Sequence, residues 1–288
     1  MLDYTAPSTV EEAVRILAGA PGIAKVLSGG TDLLVQLRSG RTKPGLIVDI
    51  KKIPGISGIR ERDGAFVIGA STPGAVIGEC EALRRAWPGV VEAANLIGST
   101  QVQGRASLAG NLCNASPAAD SVPALIAARA TCVIAGPNGR REVPVESIAT
   151  GPGRTSLGPG EFILEFHLPK RPPRSADAYL RFIPRTEMDI AVVGAAVSLT
   201  LDPGGVCTDA RIVLGAVAPT AILVPEASAA LVGRKLDEAA LAGFGEAAQR
   251  ACKPIDDKRG TIEYRTKVAG VLARRTAMIA YERAGKRR

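Results

Sequence analysis

The chain has 288 residues, of which 46% are hydrophobic and 22% are charged, so it can bury a sizeable core and is not wholly disordered. Its net charge of +8 is concentrated in residues 253–288, which hold 11 of the 36 basic and 4 of the 28 acidic residues. Aromatic residues make up only 3%, which argues against a surface that stacks nucleic-acid bases.

The cysteine and histidine content excludes several kinds of site. The five cysteines are scattered without a Cys-x-x-Cys pair, and His167 is the only histidine. We therefore expect no disulfide framework, iron–sulfur centre or other metal site in this chain. His167 alternates with apolar residues in 162–168, which favours a place on the solvent face of a strand.

We expect neither a membrane span nor a signal peptide. The apolar run at 191–201 is well short of the roughly 20 residues that a spanning helix needs. The amino-terminal residues lack the basic and apolar regions of a signal peptide. A cytoplasmic location is the expectation that follows.

Residues 1–50 have the pattern of a small βαβ unit. Ser8 to Glu11 is predicted to be a capping box that begins a helix, and Gly19 ends this helix. A strand at 23–27 leads into a helix that begins at Thr31-Asp32, and a buried strand follows at 45–50.

Between residues 66 and 117 the sequence predicts short elements and one long loop. A strand at 66–70 is followed by helical pieces within 79–96, which Pro88 interrupts. The stretch 98–117 is rich in glycine, serine and asparagine and is predicted to be a loop.

The remaining elements separate into two groups at a linker. A helix begins near Asp120, and the Pro-Asn-Gly turn at 137–139 predicts a hairpin before a strand at 162–168. The proline-rich, basic segment 169–174 is the predicted linker. Beyond it we predict strands at 178–183, 190–201 and 206–217 and helices at 226–232, 237–252 and 261–284.

Two glycine-rich turns carry the strongest functional signal. Neither fits the Gly-x-Gly-x-x-Gly or Gly-x-x-x-x-Gly-Lys-Ser/Thr pattern, so Rossmann and P-loop sites are not predicted. The first turn, at 28–33, lies between a strand and a helix, where glycines let backbone N–H groups point at an anion. The second, at 107–111, continues to residue 120 and offers Asn111 and Asp120 to hydroxyl groups.

Asp120 has two interpretations. It is placed as the N-cap of the next helix, with Pro123 in the first turn, and as such serine would replace it with little change in stability. It is also placed to accept a hydrogen bond from a ligand hydroxyl. Both roles can hold together.

The order of these motifs resembles the FAD-binding medium subunit of the molybdenum hydroxylases, the group that contains xanthine dehydrogenase and aerobic carbon monoxide dehydrogenase. Residues 28–33 match the family's Ala-Gly-Gly-Thr-Asp-Leu, and residues 115–120 match its Ala-Ser-Pro-x-x-Asp. The family's Gln-Val/Ile-Arg-Asn-x-Ala-Thr-Leu/Ile-Gly-Gly-Asn is matched from Gln101 or Gln103 to Asn111. The segments 185–191 and 259–265, with Arg274-Arg275, also resemble the family. Ser28, Ala109 and the Gln103-Gly104-Arg105 segment depart from the pattern.

The resemblance implies an α+β fold with a PCMH-type, vanillyl-alcohol-oxidase-like FAD-binding domain at 1–173. That domain would have two α/β subdomains, at about 1–58 and 59–173, and a C-terminal domain at 174–288 would contain a small antiparallel sheet and helices. The resemblance also implies FAD as the cofactor, no metal and no catalytic side chain in this chain. The residues expected at the cofactor are Leu27, Ser28, Gly29, Gly30, Thr31, Asp32, Leu33, Thr72, Ser107, Gly110, Asn111, Ser116, Asp120, Leu164, Arg181 and Arg185.

The function implied is that of an electron-transfer subunit. Molybdopterin would lie in a large partner subunit and 2Fe-2S clusters in a small one, in a dimer of heterotrimers that does not bind nucleic acid. Electrons would pass from these clusters to the flavin and then to an external acceptor. Two alternatives are a stand-alone FAD-dependent oxidoreductase and a non-catalytic module that binds through the basic tail. Arg181 and Arg185 also have an alternative as part of a solvated linker and strand face.

Overall fold

The computed structural model describes residues 2–287, so Arg288 of the basic tail lies outside it. The chain begins with a parallel sheet of three strands in the order β1-β3-β2. The leucine at the end of β2 is paired with Asp49 at the end of β3, so the turn after β2 begins at the carboxyl edge of the sheet. The elements are β1 (Asp3–Thr5), α1 (Val10–Ala18), β2 (Ala24–Leu27), α2 (Leu33–Arg38) and β3 (Leu46–Asp49).

The start of α1 differs by one residue from the predicted capping box. Thr9, in extended conformation, is the N-cap, and its hydroxyl accepts a hydrogen bond from the Glu12 backbone N–H. The carboxylate of Glu12 in turn accepts from the Ser8 backbone N–H over 3.0 Å. Glu12, rather than the predicted Glu11, therefore pairs with the N-cap, because it occupies the third helical position. Its carboxylate accepts from the residue before the N-cap and not from the N-cap itself, so the contacts are those of a capping box only in part.

A second, antiparallel sheet contains five strands in the order β4-β5-β10-β6-β7. The predicted hairpin is present between β6 and β7, and His167 on β10 lies between the carboxylates of Glu142 and Glu165, at 3.1 and 3.0 Å. Its side chain is one-third exposed, at 34%, which agrees with the predicted solvent face. The strands are β4 (Ile59–Arg62), β5 (Ala65–Gly69), β6 (Thr131–Gly136), β7 (Gly139–Pro144) and β10 (Phe162–Leu168), with β8 (Ala149–Gly151) and β9 (Arg154–Thr155) in a separate pair.

Short helices connect these strands, and two of them lie where a loop was predicted. Ser107 is the N-cap of α7, since its hydroxyl accepts a hydrogen bond from the Gly110 backbone N–H. The apolar residues of α7 are buried. The predicted interruption of the helical pieces is present: α4 ends before Trp87, and Pro88 begins α5, since proline is tolerated at the first helical position. The helices are α3 (Gly74–Glu79), α4 (Glu81–Ala86), α5 (Pro88–Ala94), α6 (Thr100–Gln103), α7 (Leu108–Cys113) and α8 (Ser121–Ala127).

The C-terminal part is a four-stranded antiparallel sheet in the order β11-β12-β13-β14, covered on one face by helices. Its strands supply small apolar residues to a second hydrophobic core, while Tyr179, Ala196 and Val213 point into the core of the preceding part. The sheet thus packs between the two cores. Its elements are β11 (Ser175–Phe182), β12 (Val193–Leu201), β13 (Cys207–Gly215), β14 (Ile222–Leu223), α9 (Pro225–Leu231), α10 (Glu238–Ala251) and α11 (Ile262–Gly285).

The fold is the α+β fold that the resemblance implied: a part with a parallel and an antiparallel sheet is followed by a part with one antiparallel sheet and helices. The predicted linker lies between β10 and β11. The structural boundary at residues 173 and 174 stays a prediction. No helix among residues 2–287 is long and apolar enough to cross a membrane.

Candidate functional site

The two glycine-rich turns meet at Gly29. A Cβ atom on Gly29 would lie 1.9 Å from the backbone oxygen of Arg105, a distance that no side chain can occupy. Gly30 has a φ of +80°, which favours glycine. The first turn can therefore approach the start of the second only because Gly29 lacks a side chain.

Three serine hydroxyls join the turns. The hydroxyl of Ser28 donates to that of Ser71 over 2.9 Å and lies 2.9 Å from that of Ser107. Ser71 and Ser107 are both buried. Ser71 was not predicted, because it follows β5 in a segment without a glycine-rich turn. The cluster fixes the distance between the two turns.

A cavity of about 370 Å³ lies beside this contact, within the range common for small-molecule sites. Both turns line it, and nine of the predicted residues are among its walls. These are Ser28, Gly29, Gly30, Thr31, Asp32, Leu33, Ser107, Gly110 and Asn111.

The first turn lines this cavity and has backbone donors without protein partners. Among the residues that the structure describes, no protein acceptor is found for the backbone N–H groups of Gly29, Gly30, Thr31 and Asp32. Consecutive N–H groups of this kind form an anion-binding concavity, which suits a pyrophosphate. The side chain of Lys25 adds a positive charge to the wall, and burial raises the pKa of Asp32. The donor set therefore fits an anionic group such as a pyrophosphate.

The other wall comes from residues that the sequence did not single out. Gln36 donates to the side chain of Asn114 over 2.9 Å, which joins α2 to the end of α7. Glu161 accepts from Arg141 and from the Gly158 backbone N–H, each over 2.8 Å. Gln36 lies one helical turn after Asp32 and could have been found from that spacing. The residues near 155–163 could not, because only the folding of the second sheet brings them here.

Seven predicted residues do not line this cavity. The Thr72 hydroxyl bonds to the backbone of Gly58 and Gly69, and the Ser116 hydroxyl accepts from the Ala118 N–H. Arg185 is exposed and bonds to Asp189. The seven are Leu27, Thr72, Ser116, Asp120, Leu164, Arg181 and Arg185.

The predicted capping role of Asp120 is wrong. Its side chain makes no capping hydrogen bond; instead one carboxylate oxygen accepts from the Tyr179 hydroxyl over 3.0 Å and the other from Arg181 over 2.8 Å. Asn111 takes the place of the cap, since its carbonyl oxygen accepts from the Ser121 N–H and hydroxyl, over 3.1 and 2.7 Å. Asp120 therefore connects α8 to the C-terminal sheet.

The environment of Asp120 changes its acidity. Burial raises its pKa to about 6, although the positive charge of Arg181 and the hydrogen bonds from Tyr179 and Arg181 lower it. The side chains of Asp120 and Arg181 are only 10% and 4% exposed, so the two form a buried ion pair. The contact of Asp120 with a ligand hydroxyl stays a prediction.

Comparison with known proteins covers nearly the whole chain. The family described as "FAD binding domain in molybdopterin dehydrogenase" matches residues 1–171. The family described as "CO dehydrogenase flavoprotein C-terminal domain" matches residues 178–280.

Individual relatives agree with these matches. The chain is 33% identical to 6-hydroxypseudooxynicotine dehydrogenase complex subunit alpha from Paenarthrobacter nicotinovorans, over 98% of this chain and 95% of that protein. It is also 33% identical to the carbon monoxide dehydrogenase medium chain from Hydrogenophaga pseudoflava, over 98% and 97%. A solved carbon monoxide dehydrogenase from H. pseudoflava, which lacks the Mo-pyranopterin moiety of its molybdenum cofactor, is similar with a TM-score of 0.94 and 34% identity, over 98% of both chains. The resemblance predicted from the glycine-rich motifs is thus confirmed: the chain belongs to the FAD-binding flavoprotein subunits of the molybdopterin dehydrogenases.

Proposed function

We propose that this chain is the electron-transfer subunit of a molybdenum hydroxylase, with FAD held between the two glycine-rich turns. The observation that carries the proposal is that Gly29 to Asp32 line the cavity and that their backbone N–H groups have no protein acceptor among residues 2–287. These groups, with the Thr31 hydroxyl, would hold the pyrophosphate and the adjoining ribose. Ser107, Gly110 and Asn111 would line the opposite side.

The protein's part in this function is to bind and orient the cofactor. A bound flavin can take up electrons singly and release them to an acceptor, which is the chemistry that the cofactor supplies. The Gly29–Arg105 contact and the serine cluster hold the two turns in place before the cofactor binds. Preorganised donors of this kind reduce the ordering cost of binding. None of this chain's side chains needs to act on a substrate.

We also propose the partners and the domain arrangement that the family implies. Two of the relatives are named as a complex subunit and a medium chain, which are members of assemblies with several chains. For this chain we propose a large subunit with molybdopterin, a small subunit with 2Fe-2S clusters, a dimer of such heterotrimers and a cytoplasmic location. The domains would be 1–173 and 174–288.

Expression of the chain alone and with its partner genes tests the proposal. The purified single chain should take up one FAD and show flavin absorbance, yet oxidise no heterocycle, aldehyde or carbon monoxide. Co-expressed with partner genes, a tagged chain should elute with molybdenum and iron, and substrate should then bleach the flavin.

Three results would contradict the proposal, each in a different part. No FAD uptake would contradict the cofactor assignment. Substrate oxidation by the single chain would support a stand-alone oxidoreductase. Flavin that stays oxidised in the complete complex with substrate would contradict electron transfer through this chain.

A further inference from the structure

A chain of three polar side chains lies behind the first glycine-rich turn. The Tyr4 hydroxyl donates to Asp49 over 2.8 Å, and the Lys51 ammonium donates to both carboxylate oxygens of Asp49, each over 2.8 Å. The same ammonium group donates to the backbone oxygen of Ser28 over 3.1 Å. A lysine thus connects a nearly buried carboxylate to the first residue of the turn.

The parallel sheet places these groups together. Tyr4 lies on β1 and Asp49 ends β3, directly beside the last residue of β2. Asp49 also accepts from the Lys51 backbone N–H over 3.0 Å, which fixes the short helical turn at Ile50–Lys52 and the start of the lysine side chain. All three strands therefore contribute to the position of the Lys51 ammonium group.

The contact with Ser28 matters because of the geometry of a peptide unit. The carbonyl of Ser28 and the N–H of Gly29 belong to one trans peptide, so they point in opposite directions. Gly29 and Gly30 lack side chains, and this peptide could therefore rotate more readily than others. Lys51 is not among the residues that line the cavity, whereas Gly29 and Gly30 are. A donor that holds the Ser28 carbonyl on one side consequently directs the Gly29 N–H to the other.

We propose that Lys51, held by Asp49 and Tyr4, is a positioning residue that prevents the Ser28–Gly29 peptide from flipping and so keeps the Gly29 N–H directed at the cofactor phosphates. The inference rests on the proposed binding of FAD at this turn. It assigns Lys51 no direct contact with the cofactor.

The charge state of the cluster supports a positioning role. Burial raises the pKa of Asp49, but hydrogen bonds from Lys51 and Tyr4 outweigh burial and lower it, so the carboxylate stays ionised at neutral pH. The ammonium charge is then compensated by Asp49. Its contribution to the turn is a directed hydrogen bond, rather than a free positive charge that would attract phosphate.

The test compares Lys51→Met with Lys52→Met. The control residue is the next one in the same helical turn, is exposed and makes no side-chain hydrogen bond among residues 2–287. FAD affinity of the purified full chain is measured by flavin fluorescence titration. We expect Lys51→Met to weaken affinity about tenfold, on the scale of one charge-assisted hydrogen bond, and Lys52→Met to leave it within twofold. Lys51→Arg, which keeps N–H donors, should recover most of the loss.

A second measurement does not depend on FAD. The amide signal of Gly29 in a ¹⁵N–¹H spectrum of the FAD-free chain should shift or broaden in Lys51→Met and stay in place in Lys52→Met. If Lys51→Met does not fold, Tyr4→Phe, which removes only one hydroxyl, should move the same signal and weaken FAD affinity by about twofold to threefold.

The outcomes separate this inference from the proposed function. A wild-type chain that binds no FAD contradicts the proposed function. A wild-type chain that binds FAD, with Lys51→Met binding equally well, overturns only the role of Lys51. An unchanged Gly29 amide signal in Lys51→Met, or in Tyr4→Phe where Lys51→Met is unfolded, overturns it as well, whether or not FAD binds.

Discussion

The close contact between the two glycine-rich turns depends on the absence of a side chain at Gly29. The missing Cβ leaves room for the backbone oxygen of Arg105, and no rearrangement of a side chain could make that room, because the neighbour is main chain. The sequence predicted both glycine-rich turns and their order. It could not predict that Gly29 in the first turn would contact the backbone of Arg105, two residues before the second turn.

Gly29→Ala tests that contact. The added methyl group should force the turns apart, lower the melting temperature of the FAD-free chain and weaken FAD affinity about fivefold or more, since overpacking typically costs about 1–3 kcal/mol. Gly22→Ala is the matched control, because a Cβ there meets no atom within 4 Å. Equal affinity of both variants, measured by fluorescence titration, would show that the contact does not shape the site.

Asp120 shows where reasoning from local sequence fails. An aspartate directly before a helix with proline in its first turn indicates an N-cap. Nothing nearby in the sequence reveals Tyr179 and Arg181 as the partners of Asp120. Because Arg181 is buried with it, we now expect Asp120→Ser to lower the stability of the FAD-free chain, whereas a capping role would have left it nearly unchanged.

The raised pKa of Asp120 predicts a pH dependence of stability. Between its ordinary value of 3.8 and about 6, the folded chain keeps a proton that the unfolded chain has released. The free energy of unfolding therefore falls as pH rises through this window, by up to about 3 kcal/mol. Asp120→Asn should lack this fall.

Urea unfolding of the FAD-free chain measures this difference. The stability of the wild type minus that of Asp120→Asn should decrease as pH rises from about 4 to about 7. Asp63→Asn, at an exposed loop position, is the control and should follow the wild type. If the free energies of unfolding of the wild type and Asp120→Asn change with pH in parallel, the pKa of Asp120 is not raised in the folded chain.

At the scale of elements, the linker between β10 and β11 also contributes a buried side chain to the packing of the chain. The guanidinium of Arg171 lies 3.7 Å above the ring of Trp87 and 2.8 Å from Asp177, and it is almost fully buried. Asp177 is on β11, and Trp87 lies between α4 and α5. The basic, proline-rich composition of this segment indicated a solvated linker. Its Arg171 side chain instead contacts both the C-terminal sheet and the FAD-binding part.

Asp177→Asn should destabilise the chain by about 3–5 kcal/mol, because Arg171 would keep its charge without a buried partner. Arg171→Met combined with Asp177→Asn should be more stable than Asp177→Asn alone. The fluorescence of Trp87, the only tryptophan, reports on this interface during unfolding. Arg174→Met, a linker residue without an ion pair within the described part of the chain, is the control. A double variant as unstable as the sum of its single variants would contradict the pairing.

Elements with a clear periodicity were predicted well, and short ones were not. The alternation at 162–168 gave the bounds of β10, and the long helices were predicted within one or two residues. The helices α6 and α7 were missed because glycine, serine and asparagine favour loops. Burial of apolar residues on α7 and the Ser107 cap outweigh that preference.

At the scale of the whole molecule, the site depends on contacts between distant parts of the chain. The turns at 28–33 and 107–111 could be assigned from sequence because each has a local pattern. The wall near 155–163 and the link from Asp120 to the C-terminal sheet exist only in the folded chain. Neither has a spacing from which sequence alone could have predicted it.

The most direct test of the central claim is a crystal structure of the chain with FAD bound. The account predicts that pyrophosphate oxygens lie within about 2.7–3.2 Å of backbone nitrogens in the Gly29–Asp32 turn, with the cofactor between that turn and the one at 107–111. Clear density for FAD whose phosphates contact neither turn would contradict it.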